Sequence, residues 1–260
     1  MNILFIGDIV GRPGRDAVQD WLPELRQELA IDIVVANAEN AAGGLGATAE
    51  ILDDLTGLGV HAFTLGNHTW HRKSLVGDID RFSNVARPAN YPEVVPGKGA
   101  ITVELSDGRQ LGIINLLGRV FMEAQACPFE TARREIDALR KTTTTILVDM
   151  HAEATSEKIA MGWFLDGQCS AVIGTHTHVQ TADERVLPGG TAYITDVGMT
   201  GPMDSVIGVE KELIIEKFLT GLPTGFRVAR DRPGICAAYI QTADETGLAK
   251  SITRVMRCSQ

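Results

Sequence analysis

Short apolar runs alternate along the chain with segments whose apolar residues recur every three or four positions. The first apolar run covers 3–6, a helical spacing follows over 16–29, and a second apolar run covers 31–36. Apolar runs of this length favour buried strands, whereas the three-to-four spacing favours amphipathic helices. The beginning of the chain therefore predicts a β-α-β unit, which is typical of a sheet with parallel neighbours.

The same alternation continues to the end of the chain. It predicts further helices over 48–58, 73–82, 129–140, 156–165 and 210–219, and further strands over 62–65, 100–105, 110–116, 145–148, 171–173, 182–186, 192–195, 226–229, 236–241 and 251–256. The Ser106-Asp107-Gly108 turn predicts a hairpin, and we expect antiparallel strands near the end, so the sheets should be mixed. This number of strands indicates two sheets packed face to face with helices outside. We predict the α/β class and one domain over 1–260, a length that suits a single α/β domain.

Composition excludes several classes of function. The 260 residues carry a formal net charge of −9, and Lys and Arg do not cluster as a phosphate-neutralising surface requires. No apolar run reaches the ~18 residues of a membrane span, and residues 1–6 lack the features of a signal peptide. We therefore expect a cytoplasmic protein that forms no stable complex with nucleic acid and does not enter a membrane.

Side chains that can bind metal ions follow five of the predicted strands. They are Asp8, Glu39, Asn40, Asn67, His68, His151, His176 and His178. Ligands of open α/β sheets bind beyond the carboxyl ends of the strands, so these side chains should meet at one edge. In Gly174–His178 the two imidazoles lie two positions apart, and on an extended backbone they would point to the same side. Each residue alone also fits a cap or a loop, and it is their co-occurrence that favours a metal site.

The types of ligand indicate the metal and the chemistry. Carboxylates, amide oxygens and imidazoles together suit Mn, Fe, Co or Zn better than Mg or Ca. Seven ligands are too many for one tetrahedral ion and fit two ions about 3.5–4 Å apart that share one carboxylate. Because only two ligands are anionic, the centre would stay positive, attract a phosphate and make a bridging water acidic. We expect a metal-bound hydroxide to attack phosphorus.

His68 directly follows the amide ligand candidate Asn67. We predict that His68 is the general acid, because a departing alkoxide needs a proton and an imidazole can supply one near neutral pH. The alternative is that His68 is another ligand or supports one.

The motifs resemble those of the calcineurin-like metallophosphoesterases in the same order: Gly7-Asp8, Gly66-Asn67-His68, His151 and Gly174–His178. Over the whole chain the sequence is more narrowly similar to the bacterial YmdB-like phosphodiesterases. That similarity lies in segments 6–15, 37–42, 87–90, 149–158 and 174–182. The resemblance implies a four-layer αββα sandwich, in which two mixed β-sheets are flanked by helices.

The resemblance also implies how the ligands are shared. Asp8 and His178 would bind the first metal, Glu39 would bridge, and a second set would bind the other metal: Asn67, His151 and His176. The usual Asp-x-His opening of the superfamily is Asp8-Ile9-Val10 here, and the usual bridging aspartate is replaced by Glu39. Asn40 is then the expected substitute ligand of the first metal, and iron or manganese become the expected metals, with zinc or cobalt as alternatives.

The function implied by the resemblance is hydrolysis of phosphodiesters, with cyclic nucleotides, including 2′,3′-cyclic forms, as substrates. The resemblance also implies a homo-oligomer. Two alternatives stay open: a phosphomonoesterase or 5′-nucleotidase, and a regulatory protein whose metal centre is structural or senses a nucleotide.

Three further features lie near the expected site in the sequence but do not belong to the predicted ligand set. Gly7, Gly11 and Gly14 lack the Gly-Lys-Ser/Thr ending of a phosphate loop, so we interpret them as turn glycines beside Asp8. Arg12 and Arg15 fit either contact with a substrate phosphate or a solvated helix start. The segment 198–202 predicts a loop, either a plain connection or a cover over the site.

Overall fold

Two mixed β-sheets pack face to face in the computed structural model, which describes residues 1–259. In chain order the strands are β1 (Asn2–Ile6), β2 (Asp8–Ile9), β3 (Ile33–Asn37), β4 (Ala62–Thr64), β5 (Val85–Ala86), β6 (Ala100–Glu104), β7 (Gln110–Leu117), β8 (Ile146–His151), β9 (Ala171–Thr175), β10 (Arg185–Val186), β11 (Ala192–Ile194), β12 (Met199–Pro202), β13 (Pro233–Thr242) and β14 (Ala249–Cys258). The helices are α1 (Gly11–Glu28), α2 (Ala49–Gly57), α3 (Ser74–Asp78), α4 (Pro128–Leu139), α5 (Thr155–Phe164) and α6 (Lys211–Thr220), with a 3₁₀ turn at Ile79–Arg81.

The first sheet has the order β2-β12-β13-β1-β3-β4-β5, and β14 pairs with β13. Its strands β1, β3, β4 and β5 are parallel, whereas β13 runs antiparallel to β1, β12 and β14. The second sheet has the order β10-β11-β9-β8-β7-β6, with β7, β8, β9 and β11 parallel and β6 and β10 antiparallel at its edges. Each sheet therefore presents a row of parallel carboxyl ends.

Side chains that alternate in direction along each strand fill two separate cores, one between the sheets and one under the helices. Ile3 and Phe5 of β1 point into the core between the sheets, whereas Leu4 and Ile6 point toward α1, α2 and α3. The second sheet repeats this arrangement, with its outer face packed on α4 and α5. Successive side chains of a strand point to opposite faces, so each fully buried strand contributes to two cores. The predicted four-layer α/β sandwich is confirmed.

Helix α1 begins at Gly11, five residues before the predicted start at Asp16. The first turn contains Pro13, which is tolerated there because its missing N–H would have no intrahelical partner. Gly14 faces β12, and a Cβ atom at this position would lie 2.4 Å from the carbonyl oxygen of Thr200. Gly14 is therefore a helix residue that allows close packing, and its interpretation as a turn glycine was wrong, whereas Gly11 begins the helix with φ of +57°, a conformation typical of turn glycines.

Three segments differ from the predicted strands and loops. The predicted loop 198–202 is largely β12, a buried strand that pairs with β2 and β13; its glycines and proline obscured it. The predicted strand 182–186 is reduced to β10, and the predicted strand 226–229 forms only one isolated bridge, Val209 with Val228. Apolar alternation identifies a possible strand, but a strand also needs a neighbour with free backbone groups. Among the helices of residues 1–259, none combines the length and apolarity needed to cross a membrane.

Candidate metal centre

All eight predicted site residues meet at the carboxyl ends of the parallel strands, at the boundary between the two sheets. The first sheet supplies the residues that follow β1, β3 and β4: Asp8, Glu39, Asn40, Asn67 and His68. The second sheet supplies His151 at the end of β8, and His176 and His178 after β9. Residues up to 168 positions apart are in direct contact here, since the backbone N–H of His176 donates to Asp8 Oδ2 at 3.2 Å.

One group of ligand atoms surrounds Nε2 of His151. This nitrogen lies 2.9 Å from Asn67 Oδ1, 3.0 Å from His176 Nδ1 and 3.2 Å from Glu39 Oε1. Glu39, His151 and His176 each offer a ligand atom, and these atoms all lie within 4.8 Å of one another. A single proton on His151 can bond only one of the three neighbours well, whereas one cation can be bound by all four groups. The donor set therefore fits a metal ion.

The pKa values of Glu39, His151 and His176 are shifted because these buried groups lie so close together. Burial alone raises the pKa of Glu39, but His151 and then His68 hold it well below its ordinary value. Burial lowers the pKa of His151, yet Glu39, Asp8 and Asp149 raise it to about 9. Burial and the neighbouring His151 lower the pKa of His176 to about 3. The buried carboxylate of Glu39 thus stabilises the protonated form of His151, and the charge on His151 disfavours protonation of His176.

A second group contains Asp8, Asn40 and His178. The carboxylate of Asp8 is fully buried, and its Oδ1 has no hydrogen-bond partner within residues 1–259. Oδ1 lies 3.9 Å from His178 Nε2, which in turn lies 3.2 Å from Asn40 Nδ2. Burial raises the pKa of Asp8, although His178 and His151 oppose this shift. An orphaned buried carboxylate oxygen is costly, so its position beside an imidazole fits a cation site.

Asn40 links this second group to His68. Its Oδ1 lies 2.7 Å from His68 Nδ1, while its Nδ2 faces Glu39 Oε1 and His178 Nε2. A half-turn of the amide would exchange the two atoms and direct the oxygen at the ligands. Asn40 can therefore either support His68 or offer an oxygen ligand.

The turn that carries His176 and His178 is not extended, contrary to the prediction. Both residues adopt the left-handed region, with φ of 97° and 66°. Between them, Thr177 donates its N–H and its hydroxyl to Asp196 Oδ2 at 3.0 and 2.7 Å. The same oxygen accepts from Lys158 Nζ at 2.7 Å, and this ion pair is fully buried. The two imidazoles are thus positioned by a strained turn held by an ion pair, not by strand periodicity.

His151 has its own support, which the sequence reasoning also missed. Its Nδ1 lies 2.9 Å from the hydroxyl of Thr175, and that hydroxyl donates to Asp149 Oδ1 at 2.6 Å. Burial raises the pKa of Asp149 to about 6. Such partners orient a metal-binding imidazole. The strand predicted over 145–148 extends as β8 to His151, so Asp149 and His151 lie two positions apart on one strand and share a face, a relation that the shorter predicted strand did not include.

A cavity of about 260 Å³ is lined by five of the eight predicted site residues: Glu39, Asn40, His68, His176 and His178. His68 lines it with 27% of its side chain exposed. Arg12 is outside this cavity, with its side chain 83% exposed near Asp16, which agrees with the solvated alternative. Arg15 donates to the carbonyl oxygen of Ala41 in the loop after β3. Contact of either arginine with substrate therefore gains no support from the structure.

The chain is similar to known proteins over its full length. It is 49% identical over 256 residues to the 2′,3′-cyclic-nucleotide 2′-phosphodiesterase of Bacillus subtilis (strain 168), a match that covers 98% of this chain and 97% of that protein. Its structure is similar to that of a hypothetical protein from Thermus thermophilus, with a TM-score of 0.92, 41% identity and complete coverage of both chains. It is also similar to the structure of a novel phosphatase from Mycoplasma pneumoniae, with a TM-score of 0.92, 32% identity and coverage of 99% and 93%.

The family model of the YmdB-like proteins matches residues 4–255, which include every residue of the candidate metal centre. The predicted family is confirmed: this chain belongs to the YmdB-like protein family.

Proposed function

We propose that this chain is a metal-dependent phosphodiesterase that hydrolyses nucleoside 2′,3′-cyclic phosphates. The observation that carries the proposal is the convergence of three imidazoles, two carboxylates and two amides on one pocket, in a chain close to a relative named for this activity. Hydrolysis adds one water molecule and breaks one of the two ester bonds of the cyclic phosphate, so the product is a nucleoside monophosphate.

Two metal ions, with iron or manganese expected before zinc or cobalt, suit this set of ligands. We assign Asp8, Asn40 and His178 to the first ion, and Asn67, His151 and His176 to the second. The carboxylate of Glu39 lies between the two groups, within 3.2 Å of both Asn40 Nδ2 and His151 Nε2, and is assigned as the bridge. When bound, such ions polarise a phosphate and make a water molecule acidic enough to act as the nucleophile.

His68 is assigned as the proton donor. Its Nδ1 lies 2.7 Å from the side-chain amide of Asn40, which can hydrogen-bond this nitrogen in either orientation of the amide, and its backbone N–H donates to Glu39 Oε2 at 2.9 Å, so both its ring and its main chain are fixed. Nε2 is then the ring nitrogen left to protonate the departing ribose oxygen. The partial exposure of His68 to the pocket gives this nitrogen access to substrate and to water.

Metal content and turnover of 2′,3′-cyclic AMP, measured on the same preparations of wild type, His68→Ala and Asp8→Asn, test the proposal. We expect about two metal equivalents in wild type and in His68→Ala. Turnover by His68→Ala should fall by about 10²- to 10⁴-fold, because only proton transfer is lost. Asp8→Asn should lose both metal and turnover. Unchanged turnover in both variants would contradict the assignment and favour the regulatory alternative.

A phosphomonoesterase is the second candidate, since a relative 32% identical in sequence is described as a phosphatase. The two activities differ in the substrate that the site prefers. Wild-type kcat/KM for bis(p-nitrophenyl) phosphate is compared with that for p-nitrophenyl phosphate. A preference for the monoester would replace the diesterase assignment.

A further inference from the structure

The cavity over the candidate metal centre has a polar and an apolar wall. The polar wall comprises four candidate ligands together with His68, Glu153 and Thr177: Glu39, Asn40, His176 and His178. The apolar wall is formed by Val10, Leu45, Ile207, Val209 and Phe226. Metal binding and proton transfer involve side chains of the polar wall only. The apolar wall therefore indicates that part of the ligand is apolar or aromatic.

Within residues 1–259, Phe226 is the only phenylalanine, tyrosine or tryptophan that lines this cavity, and half of its surface is exposed. Exposed apolar side chains are common on folded proteins, and what distinguishes Phe226 from Phe121 and Phe218 is its position in the lining of this cavity. Phe226 belongs to the segment between α6 and β13 and lies outside the regular sheets.

The backbone around the cavity is shaped to admit this ring. Gly44 has φ of +90°, and a Cβ atom on it would lie 2.8 Å from Phe226 Cε1 and 2.7 Å from Val228 Cγ2. Any larger residue at Gly44 would displace the ring. The absence of a side chain at Gly44 therefore allows Phe226 to pack against the loop that carries Glu39 and Asn40.

The segment is also tied to the polar wall. Val209 and Val228 form a bridge, and Glu210 N donates to the carbonyl oxygen of Arg227 at 3.0 Å. On the other side, the carbonyl oxygen of Ile207 lies 2.9 Å from His178 Nδ1. Phe226 is thus held at a fixed place relative to a candidate metal ligand.

We propose that Phe226 is the base-binding residue of the site and stacks on the nucleobase of the cyclic nucleotide. This assignment rests on the proposed function, because it requires the cyclic phosphate to lie at the metal centre. In such a substrate the base lies one ribose ring away from the phosphate, and Phe226 lines the same cavity as the candidate ligands Asn40 and His178. Stacking accepts every base, since each has a π-face, and the subsite should take both purines and pyrimidines.

The test compares two substrates that differ only in the base: 2′,3′-cyclic AMP and methyl riboside 2′,3′-cyclic phosphate. For Phe226→Ala we expect the ratio of kcat/KM between them to fall by about 5- to 100-fold, mainly through a higher KM for the nucleotide, as expected for loss of one base stack. Phe226→Trp, which keeps an aromatic face, should retain the wild-type ratio. The matched control is Phe218→Ala, which removes an exposed phenylalanine on α6 that does not line the cavity.

Each remaining outcome has a defined meaning. An equal loss for both substrates in Phe226→Ala would show that the ring only supports the loop, and an unchanged ratio would show that it does not contact the base; either result overturns the stacking assignment and leaves the diesterase intact. Failure of the wild-type protein to hydrolyse either substrate would instead overturn the proposed function, and the base subsite with it.

Discussion

Gly66 allows two candidate ligands to approach each other. A Cβ atom at this position would lie 2.3 Å from Glu39 Oε2 and 2.5 Å from His151 Nε2. Real Cβ atoms do not come so close to other heavy atoms, so any side chain at Gly66 would push Glu39 and His151 apart. The candidate metal centre thus leaves no room for a side chain at the glycine of the Gly66-Asn67-His68 motif.

We predict that Gly66→Ala lowers the metal content of the purified protein, because the added methyl group displaces two ligand atoms. Metal analysis by mass spectrometry, on protein purified without chelators, measures the loss. Gly77→Ala is the matched control: Gly77 lies in α3 and a Cβ there meets nothing within 4 Å. A glycine replaced by alanine within a helix should leave metal content unchanged and stabilise slightly. Full metal occupancy in Gly66→Ala would refute the spatial argument.

At the scale of elements, helix α5 places the buried, charged side chain of Lys158 next to the turn that follows β9. Lys158 lies on the sheet-facing side of α5 with no exposed surface, and its partner Asp196 precedes β12. The carboxylate of Asp196 binds the middle residue of the turn, Thr177, and also accepts from the backbone N–H of Gly198. One ion pair therefore connects helix α5, the turn that carries the candidate ligands His176 and His178, and the segment that leads into β12.

We predict that Lys158→Met destabilises the protein by about 3–5 kcal/mol, because the carboxylate of Asp196 would remain buried without its cation. Urea unfolding at neutral pH measures this change in the free energy of unfolding. Metal content should fall as well, since the strained turn that presents His176 and His178 loses its support. Lys250→Met, which removes an exposed lysine on β14, is the control and should change stability by less than about 0.5 kcal/mol. Equal stability of the two variants would contradict the role of the ion pair.

At the scale of the whole molecule, the candidate centre joins the two sheets. Asp8, Glu39 and Asn67 belong to the first sheet, and His151 and His176 belong to the second. A metal that binds both sets would bind the folded chain far more tightly than the unfolded one, in which these residues are distant. Metal binding should therefore contribute to the stability of the complete sandwich.

We predict that removal of metal by a chelator lowers the Tm by about 5–10 °C, as expected if saturating metal stabilises the fold by roughly 2–3 kcal/mol. Differential scanning calorimetry before and after chelation, with manganese added back, measures the shift. His68→Ala should show the same shift, because His68 is not assigned as a ligand. Asp8→Asn should show little shift. A Tm that does not respond to chelation in wild type would argue against a metal that spans both sheets.

Local patterns explain what could be predicted at each scale. The buried strands β1, β3, β7 and β8 are apolar runs, and the amphipathic helices α1, α2 and α4 show helical spacing, so neighbouring residues alone locate both. The pattern misses strand β12 because Gly201 and Pro202 are turn residues by composition, and its pairing with β2 and β13 overrides that preference. The predicted start of α1 lies too late because Gly11 to Arg15 contain no apolar periodicity.

The sequence alone was enough to predict which residue types follow the strands, and therefore the candidate ligand set from Asp8 to His178 and the family to which the chain belongs, because strand ends and motifs are local properties. That the carboxyl ends of two different sheets meet at one site is visible only in the folded chain. The tertiary structure also shows that His176 and His178 are presented by a left-handed turn held by Lys158 and Asp196, and that Phe226 lines the same cavity. These features depend on contacts between residues far apart in the chain, which sheet packing creates and no local pattern encodes.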